Sequence, residues 1–526
     1  LTDKCTSGLV TLLFKVYPVG EAFFIFLLFP AVHERVIFIE PIIINDLTFA
    51  YPGQKPLFNH CDLNLSSDWK LGLLGRNGRG KTTLFRILQN QLAYLGQVQA
   101  SLNFGYYPLK IIDPNELVWN NISEVAPQTE QWQVERELNL MATDPALLWQ
   151  PVKTLSGGEQ TRIMLATLFA QNDLFPLLDE PTNHLDQHGR KLIAQYLKQK
   201  QTGFIITSHD QHFLDQIIDH TLVIEQHQLI LEHGNYSSYF KQKRVRDKDA
   251  INSNEQLLKE IHHLKKVQST KKQWAQRAES EKKNNSHADK GFIGAKAAKM
   301  MKKSVIVNNR LNKAITEREG LLQDVETTVP LTINLQPTHL QELLHITDLS
   351  LSYPGHSLCS NLSFTANSHD QILICGNNGT GKSSLFHAIC GNFTGNQSGE
   401  IRLSSKLKVS VVRQDYHHHG TLREFAKYYQ LNYADFLNLL RKFGMKRESF
   451  NTPIEDMSMG QQKKVELARS LVEPAQFYLW DEPLNYLDTY NQDQLIKLIQ
   501  TVRPPMLIIE HDQHFIDEIA TKQINI

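Results

Sequence analysis

Two segments, GRNGRGKTT from Gly75 and GNNGTGKSS from Gly376, place glycines, a lysine and a hydroxyl at the spacing G-x-x-x-x-G-K-[ST]. That spacing suits a phosphate. Glycine lets backbone N–H groups converge on anionic oxygens, and a helix starting at the lysine adds the positive end of its dipole. Nucleotide-binding candidates are therefore Gly75, Asn77, Gly78, Gly80, Lys81, Thr82 and Thr83 in the first copy, and Gly376, Asn378, Gly379, Gly381, Lys382, Ser383 and Ser384 in the second. Lys81 and Lys382 would reach the outer phosphates of ATP, and Thr82 and Ser383 would hold Mg²⁺. About a hundred residues later, apolar runs end in Asp179-Glu180 and Asp481-Glu482. The aspartates are candidate metal-shell ligands, and Glu180 and Glu482 are placed to polarise an attacking water.

These motifs belong to a longer repeat. Tyr51 in LTFAYPG matches Tyr353 in LSLSYPG, Ser156 in LSGGEQ matches Ser458 in MSMGQQ, and His209 in IITSHD matches His511 in IIEHD, each at an offset of 302. The lysines differ by 301 and the Asp-Glu pairs by 302. A constant spacing across five motifs means a duplicated domain. In each copy short β-branched runs alternate with longer helical patterns, which predicts an α/β domain with a largely parallel sheet. Tyr51 and Tyr353 are candidates for stacking on adenine. The expected layout is a first nucleotide-binding domain over 42–243, a helical linker over 244–340 and a second domain over 341–526.

Composition confines the partners. The chain has 526 residues and no net charge, yet 241–326 holds 21 Lys and Arg against 11 Asp and Glu. Affinity for nucleic acid would reside in that segment alone. No proline interrupts 241–329, and Leu257, Ile261 and Leu264, like Val307, Leu311 and Ala314, are spaced for an apolar helical seam. Between the seams lies HADKGFIGAKAAKMMKKS, residues 287–304, expected to be the turn of a helical hairpin. A helix over about 244–283 would reach roughly 60 Å. Its tip candidates for RNA contact are Lys290, Phe292, Ile293, Lys296, Lys299, Met300, Lys302 and Lys303. Lysines would neutralise phosphates and the apolar side chains would pack on bases, or else simply close the hairpin.

Five cysteines without a CxxC pair indicate neither zinc nor a disulfide framework, so a cytoplasmic setting fits best. Residues 1–41 read as an N-terminal extension of doubtful status. Their apolar run, Ala22 to Val32, contains Pro30 and is shorter than the roughly 20 residues of a membrane span. A secretory signal is the runner-up. The chain starts at Leu1 and its first methionine is Met141, as expected of a fragment end, an alternative start codon or an upstream over-read.

P-loop, LSGGE-type signature, Asp-Glu pair and terminal histidine together make the chain resemble the ATP-binding cassette family over nearly all of 42–526. The resemblance implies a head-to-tail pair of cassettes in one monomer. Lys81, Asp179, Glu180 and His209 would then work with Ser458 and Gly460, while Lys382, Asp481, Glu482 and His511 would work with Ser156, Gly157 and Gly158. By the same resemblance Gln414 in VVRQD is the metal-sensing glutamine, and His209 and His511 join the catalytic set. Met459 stands where the first copy has Gly157, and Leu109 where the second has Gln414, so the Lys81 site is expected to differ from its partner. Pro176 within the Asp179 strand is unexpected in a central strand.

Two cassettes joined by a basic hairpin, with DEPTNHLD in the first, resemble the ABC-F branch, whose members act on ribosomes. DEPLNYLD, MSMGQQ and the tip sequence are similar to its Lsa- and Vga-like antibiotic-resistance group. That likeness implies an ATPase that enters the ribosomal E site, meets rRNA and tRNA, and protects against lincosamides, pleuromutilins and streptogramin A. No membrane or DNA partner is expected. The rival expectations are a housekeeping ABC-F translation factor, the ATPase subunit of a transporter, and a chromosome-maintenance ATPase. The 98 residues from Lys81 to Asp179 leave no room for the long coiled coil of that last class.

Overall fold

The computed structural model describes residues 41–526 apart from 54, 172, 184, 226, 285–289, 323–328, 377–378, 405–406 and 414–417. Side chains at 271–272, 274–301 and 303–304 are likewise not described. The expectations for residues 1–40, Asn378, Gln414 and every tip side chain except that of Lys302 therefore lie outside the described residues.

Each copy builds two sheets around its P-loop. In the first, the strands run in the order Asn103–Tyr107, Leu174–Asp179, Phe204–Thr207, Lys70–Leu74, His220–Glu225 and Gln228–His233, all parallel except the last. In the second, the order is Val409–Val412, Phe477–Asp481, Met506–Ile509, Gln371–Cys375 and Lys522–Asn525, all parallel. The inner strands are buried on both faces, which is why they read as unbroken apolar runs such as FIIT and MLII. A three-stranded antiparallel sheet covers each P-loop helix: Phe58–Ser66, Pro41–Phe49 and Leu95–Gln99 in the first copy, His356–Asn367, Glu342–Tyr353 and Asn396–Leu403 in the second. The expected α/β duplication is the observed one.

Pro176 is accommodated by register. The ladder from its strand to Phe204–Thr207 begins only at Leu177. In the second copy the equivalent Tyr478 donates its N–H to Pro505 O at 3.1 Å, in the loop ahead of the next strand. The donor that proline lacks is thus the one that makes the first rung in the second copy, where Tyr478 pairs with Met506, and in the first copy the ladder starts one residue later.

Between the copies rise two helices, Tyr236–Asn284 and Lys290–Gly320. The first starts eight residues earlier than expected and, at 49 residues, extends about 70 Å. Helix resumes at Lys290, so most of the 287–304 stretch is not a turn. Alanine, lysine and methionine favour helix strongly enough to carry Gly291 and Gly294 within it. The seam forms as spaced: Ile261 and Ile315 are buried, and Leu257, Leu264, Val307, Leu311 and Ala314 are half-buried between the helices. Gln268 donates to Asn308 and Asn312, at 2.7 and 2.6 Å, across the same seam.

The hairpin has one root on each cassette. Ser237 N donates to Asp215 at 2.7 Å, and Tyr239 Oη donates to Glu225 at 2.8 Å, fastening the ascending helix to the first cassette. On the return, Leu331 is buried in the second cassette's core, while Asn334 N donates to Leu471 O and Gln336 N to Ala475 O, both at 2.8 Å. Residues 329–340, assigned above to the linker, therefore pack as part of the second cassette.

Candidate nucleotide sites between the cassettes

At the first site, Gly78 and Gly80 take positive φ of 79° and 102° as the loop turns into helix Lys81–Leu88. A Cβ on Gly80 would stand 2.6 Å from the Leu57 side chain, so the position excludes other residues on two grounds. Lys81 Nζ donates to Gly75 O at 2.8 Å and to Asn77 Oδ1 at 3.3 Å, spanning the loop that the phosphates would enter. Lys382 Nζ does the same to Gly376 O at 2.9 Å. Gly379 and Gly381 also have positive φ, and Thr83, Ser383 and Ser384 lie in the first turns of the two P-loop helices.

The metal-shell carboxylates differ between copies. Asp179 accepts from Thr82 at 2.8 Å, from Tyr106 Oη at 3.0 Å and from Thr207 at 2.7 Å. Asp481 is bonded to Ser383, but its buried Oδ1 has no partner, and burial pushes its carboxyl up to about 6. A hard cation shared between such a carboxylate, the neighbouring hydroxyl and a phosphate fits both sites. Among the described residues no group of three or more His, Cys, Asp or Glu forms a metal site by itself, so the phosphates would complete the shell.

Glu180 and Glu482 follow these aspartates at φ of 54° and 46°, a backbone that swings them off the strand end. Thr207 O and Oγ1 hold the Glu180 N–H at 3.2 and 2.9 Å, and Glu180 Oε1 lies 3.2 Å from His209 Nε2. Burial raises the Glu180 carboxyl to about 7, against the opposing pull of Lys81. Burial lowers His209 to about 3 and His511 to about 4, so both imidazoles are neutral near pH 7. In the second site His511 Nε2 stands 3.7 Å from Glu482, whose other oxygen accepts from Asn485 at 2.6 Å. Tyr51 Oη pairs with Thr83 Oγ1 at 3.0 Å, whereas Tyr353 packs its ring on Phe393 and leaves 40% of itself exposed.

The cassettes face each other head to tail. Asn77 N donates to Asp488 Oδ2 and Asn77 Nδ2 to Tyr486 O, each at 2.9 Å. A Cβ on Gly460 would meet both Tyr486 O, at 2.9 Å, and Asn77 Nδ2, at 3.3 Å. Ser458 caps the helix in whose first turn Gly460 lies, and Met459 is half exposed there. On the other side Asp186 acts electrostatically on Lys382 and His511, and Gln187 bonds Gln513 at 3.1 Å. Ser156 caps the helix that begins with Gly157 and Gly158. Leu109 packs into the first cassette's core and brings no polar group to the Lys81 site.

Sequence reading missed four participants. Tyr106 on Asp179 carried no motif signal, while Thr207 on Asp179 and Asp488 on Asn77 stand inside IITSHD and DEPLNYLD without being singled out there. Glu510 is the fourth, and IIEHD against TSHD was its visible trace. It is buried, accepts from Leu484, His511 and Asp512 N–H groups at 2.9, 2.7 and 3.3 Å, and is pushed by burial to about 7. Ser208 and Thr182, bonded at 2.7 Å, fill the corresponding place in the first copy.

A P-loop, an Asp-Glu strand end and a capped signature helix, meeting across two copies of one α/β domain, define a tandem nucleotide-hydrolysing cassette protein. The ABC transporter family profile matches residues 58–183 and 359–485. The ribosome protection protein VmlR of Bacillus subtilis is 24% identical over 492 residues, covering 92% of this chain and 86% of that protein. The energy-dependent translational throttle protein EttA of Mycobacterium tuberculosis is 25% identical over 527 residues, with coverages of 89% and 88%. An archaeal ribosome recycling factor, aABCE1, has the same fold at a TM-score of 0.59 and 18% identity, with 91% and 87% covered. The chain carries two cassettes of the ABC transporter family, is similar along its length to these ribosome-associated cassette proteins, and is an ATPase.

Proposed function

We propose that the chain is an ATP-dependent ribosome-binding protein that protects the peptidyl-transferase centre from lincosamides, pleuromutilins and streptogramin A by inserting its hairpin at the E site. The observation that carries this reading is the placement of the hairpin roots, one on each cassette. When ATP holds the cassettes together, the two roots are held in register and the helices point in one direction; when hydrolysis lets the cassettes part, the roots shift relative to each other. No helix among the described residues is long and apolar enough to cross a membrane. The names of the relatives, a ribosome protection protein and a translational throttle, support a ribosomal partner in the cytoplasm.

At each site Lys81 or Lys382 binds the outer phosphates, and the P-loop amides, with Asn77, Asn378 and the glycines, cradle the rest. Mg²⁺, when bound through Thr82 and Asp179 or Ser383, Asp481 and Gln414, would neutralise charge developing on the phosphate oxygens. Glu180 and Glu482 take the proton from the attacking water, and the neutral imidazoles of His209 and His511 orient that water and the terminal phosphate. Ser458 and Gly460, or Ser156, Gly157 and Gly158, close the site from the other cassette. Tyr51 and Tyr353 offer rings to adenine, and the tip residues Lys290, Phe292, Ile293, Lys296, Lys299, Met300, Lys302 and Lys303 meet RNA.

Two measurements test this. With both Glu180→Gln and Glu482→Gln the base is removed, turnover falls about a hundredfold or more, and the protein should accumulate on sedimented ribosomes in ATP. In a susceptible bacterium the wild-type chain should raise the inhibitory concentrations of the three drug classes. Ribosome binding without any change in susceptibility would favour the second reading, a translation factor of the throttle kind.

A further inference from the structure

The helix Thr489–Val502 of the second cassette meets three other parts of the molecule near its N-terminus. Its cap, Asp488, holds Asn491 N with one carboxylate oxygen and Asn77 N of the first P-loop with the other, each at 2.9 Å. Its second residue, Tyr490, lies under the Arg76 guanidinium of that same P-loop, 3.9 Å from the ring centroid. Tyr490 Oη also accepts from Val329 N at 3.4 Å, and Gln494 Nε2 donates to Val329 O at 2.6 Å. Val329 heads the segment that enters the second cassette at Leu331 after the descending hairpin helix. The ascending root arrives too: Tyr236 is buried with Thr489 and Tyr490 around a cavity of about 600 Å³ that extends beneath the first P-loop.

Among the described residues the other cassette shows no such junction. At the positions of Tyr490, Asn491 and Gln494 the helix Gln187–Gln199 carries His188, Gly189 and Leu192, and Asn377 stands where the first P-loop has Arg76. Gly444, φ 79°, also makes way for the arginine, since a Cβ there would lie 2.5 Å from its guanidinium; the first copy has Ala142 instead. The cavity matters because a packed interior would resist movement, whereas open space lets Arg76 and Tyr490 shift together without displacing core side chains.

We propose that the hairpin reads occupancy of the Lys81 site rather than of the Lys382 site, with Tyr490 as the positioning residue that ties Arg76 of the first P-loop to the hairpin root at Val329. The proposal rests on the reading that nucleotide sets the hairpin's direction. Phosphate entering the first P-loop draws on Arg76, the stacked ring follows, and the root moves with the ring. The site that lost the expected glutamine and signature glycine thus serves as sensor.

Energy transfer between dyes at Ser269 on the hairpin and Glu448 on the second cassette, both exposed, reads the movement. The probe is a non-hydrolysed ATP analogue at saturation. With Lys382→Ala, which leaves the Lys81 site intact, the nucleotide-driven distance change should persist; with Lys81→Ala it should vanish. Tyr490→Ala in the Lys382→Ala background should shift the ratio of moved to unmoved hairpin about tenfold towards unmoved, the worth of a partly desolvated cation–π stack. Tyr490→Phe keeps the ring under Arg76 but loses the hydroxyl that accepts from Val329 N, so its response should fall between those of the parent and Tyr490→Ala, whereas His188→Ala should respond as the parent does. Should Tyr490→Ala fold poorly, Arg76→Gln removes the cation from the same stack and should give the same loss. A full response in Tyr490→Ala or Arg76→Gln, or in Lys81→Ala, overturns the proposal while leaving nucleotide control of the hairpin intact. A wild-type chain whose distance ignores nucleotide overturns both.

Discussion

Glu180 and Glu482 hold the same place in two copies of one domain, yet different neighbours surround them. His209 and two contacts from Thr207 crowd Glu180, and burial there outweighs the attraction of Lys81, so its carboxyl titrates near 7. A general base must be ionised to accept a proton. For an acid whose pKa is raised, the ionised fraction grows as pH rises through the raised value. With Glu180 as the proposed base, kcat/KM for ATP in a Glu482→Gln chain, where only the first site would turn over, should therefore climb with pH with a midpoint at about 7. The histidines, lowered to about 3 and 4, do not titrate in that window. A profile flat between pH 6 and 8 would mean that Glu180 is already ionised in the free enzyme.

Among the elements, the hairpin depends on few side chains. Its exposed ion pairs, Lys265 with Glu319 and Arg318 with Glu260, contribute little in water, so the seam at Ile261 and Ile315 carries most of the pairing. Replacing Ile261 by Ala should cost about 2–4 kcal/mol locally. Limited proteolysis should then cut within 250–320 faster than in the parent, while the cassettes melt at an unchanged temperature. Charge has the other role. Changing Lys290, Lys296, Lys299, Lys302 and Lys303 to Gln should flatten the slope of log affinity for ribosomes against log salt by up to about 3–4, if each lysine neutralises one phosphate. An unchanged slope would assign the attachment to other residues.

The whole molecule is a pair of like domains closed on one another within a single chain. Asn77 to Asp488 and Gln187 to Gln513 are contacts between the halves, and the proposed nucleotide sites would be assembled within one chain. Sedimentation velocity should therefore find a monomer with or without ATP, and an ATP-dependent doubling of mass would show that cassettes pair between chains.

Much of this was legible before any coordinates. Phosphate chemistry demands glycines, a lysine and a hydroxyl at short, rigid spacing, so the P-loops announce themselves, and duplication repeats every other motif at a fixed offset. Parallel sheets bury their strands on both faces, so the strands read as apolar runs; the hairpin seam reads from helical periodicity. The stretch 287–304, expected as the turn because it lies between the two seams, is helical from Lys290 because its alanines, lysines and methionines carry helix through Gly291 and Gly294.

Tertiary structure alone decided what meets across several hundred residues. That Asp488 lies on Asn77 and that Tyr490 lies beneath Arg76 follow from how two finished surfaces pack, while the burial of Glu510 and the reach of Tyr106 to Asp179 follow from how each cassette closes on itself. The amino-acid order determined the elements and their chemistry, because those depend on neighbours near in the chain. It marked the two sites as unlike, at Met459 and Leu109, but left open which contacts join each site to the hairpin, because those depend on which copy faces which and on where a hairpin, rooted on both, comes to rest.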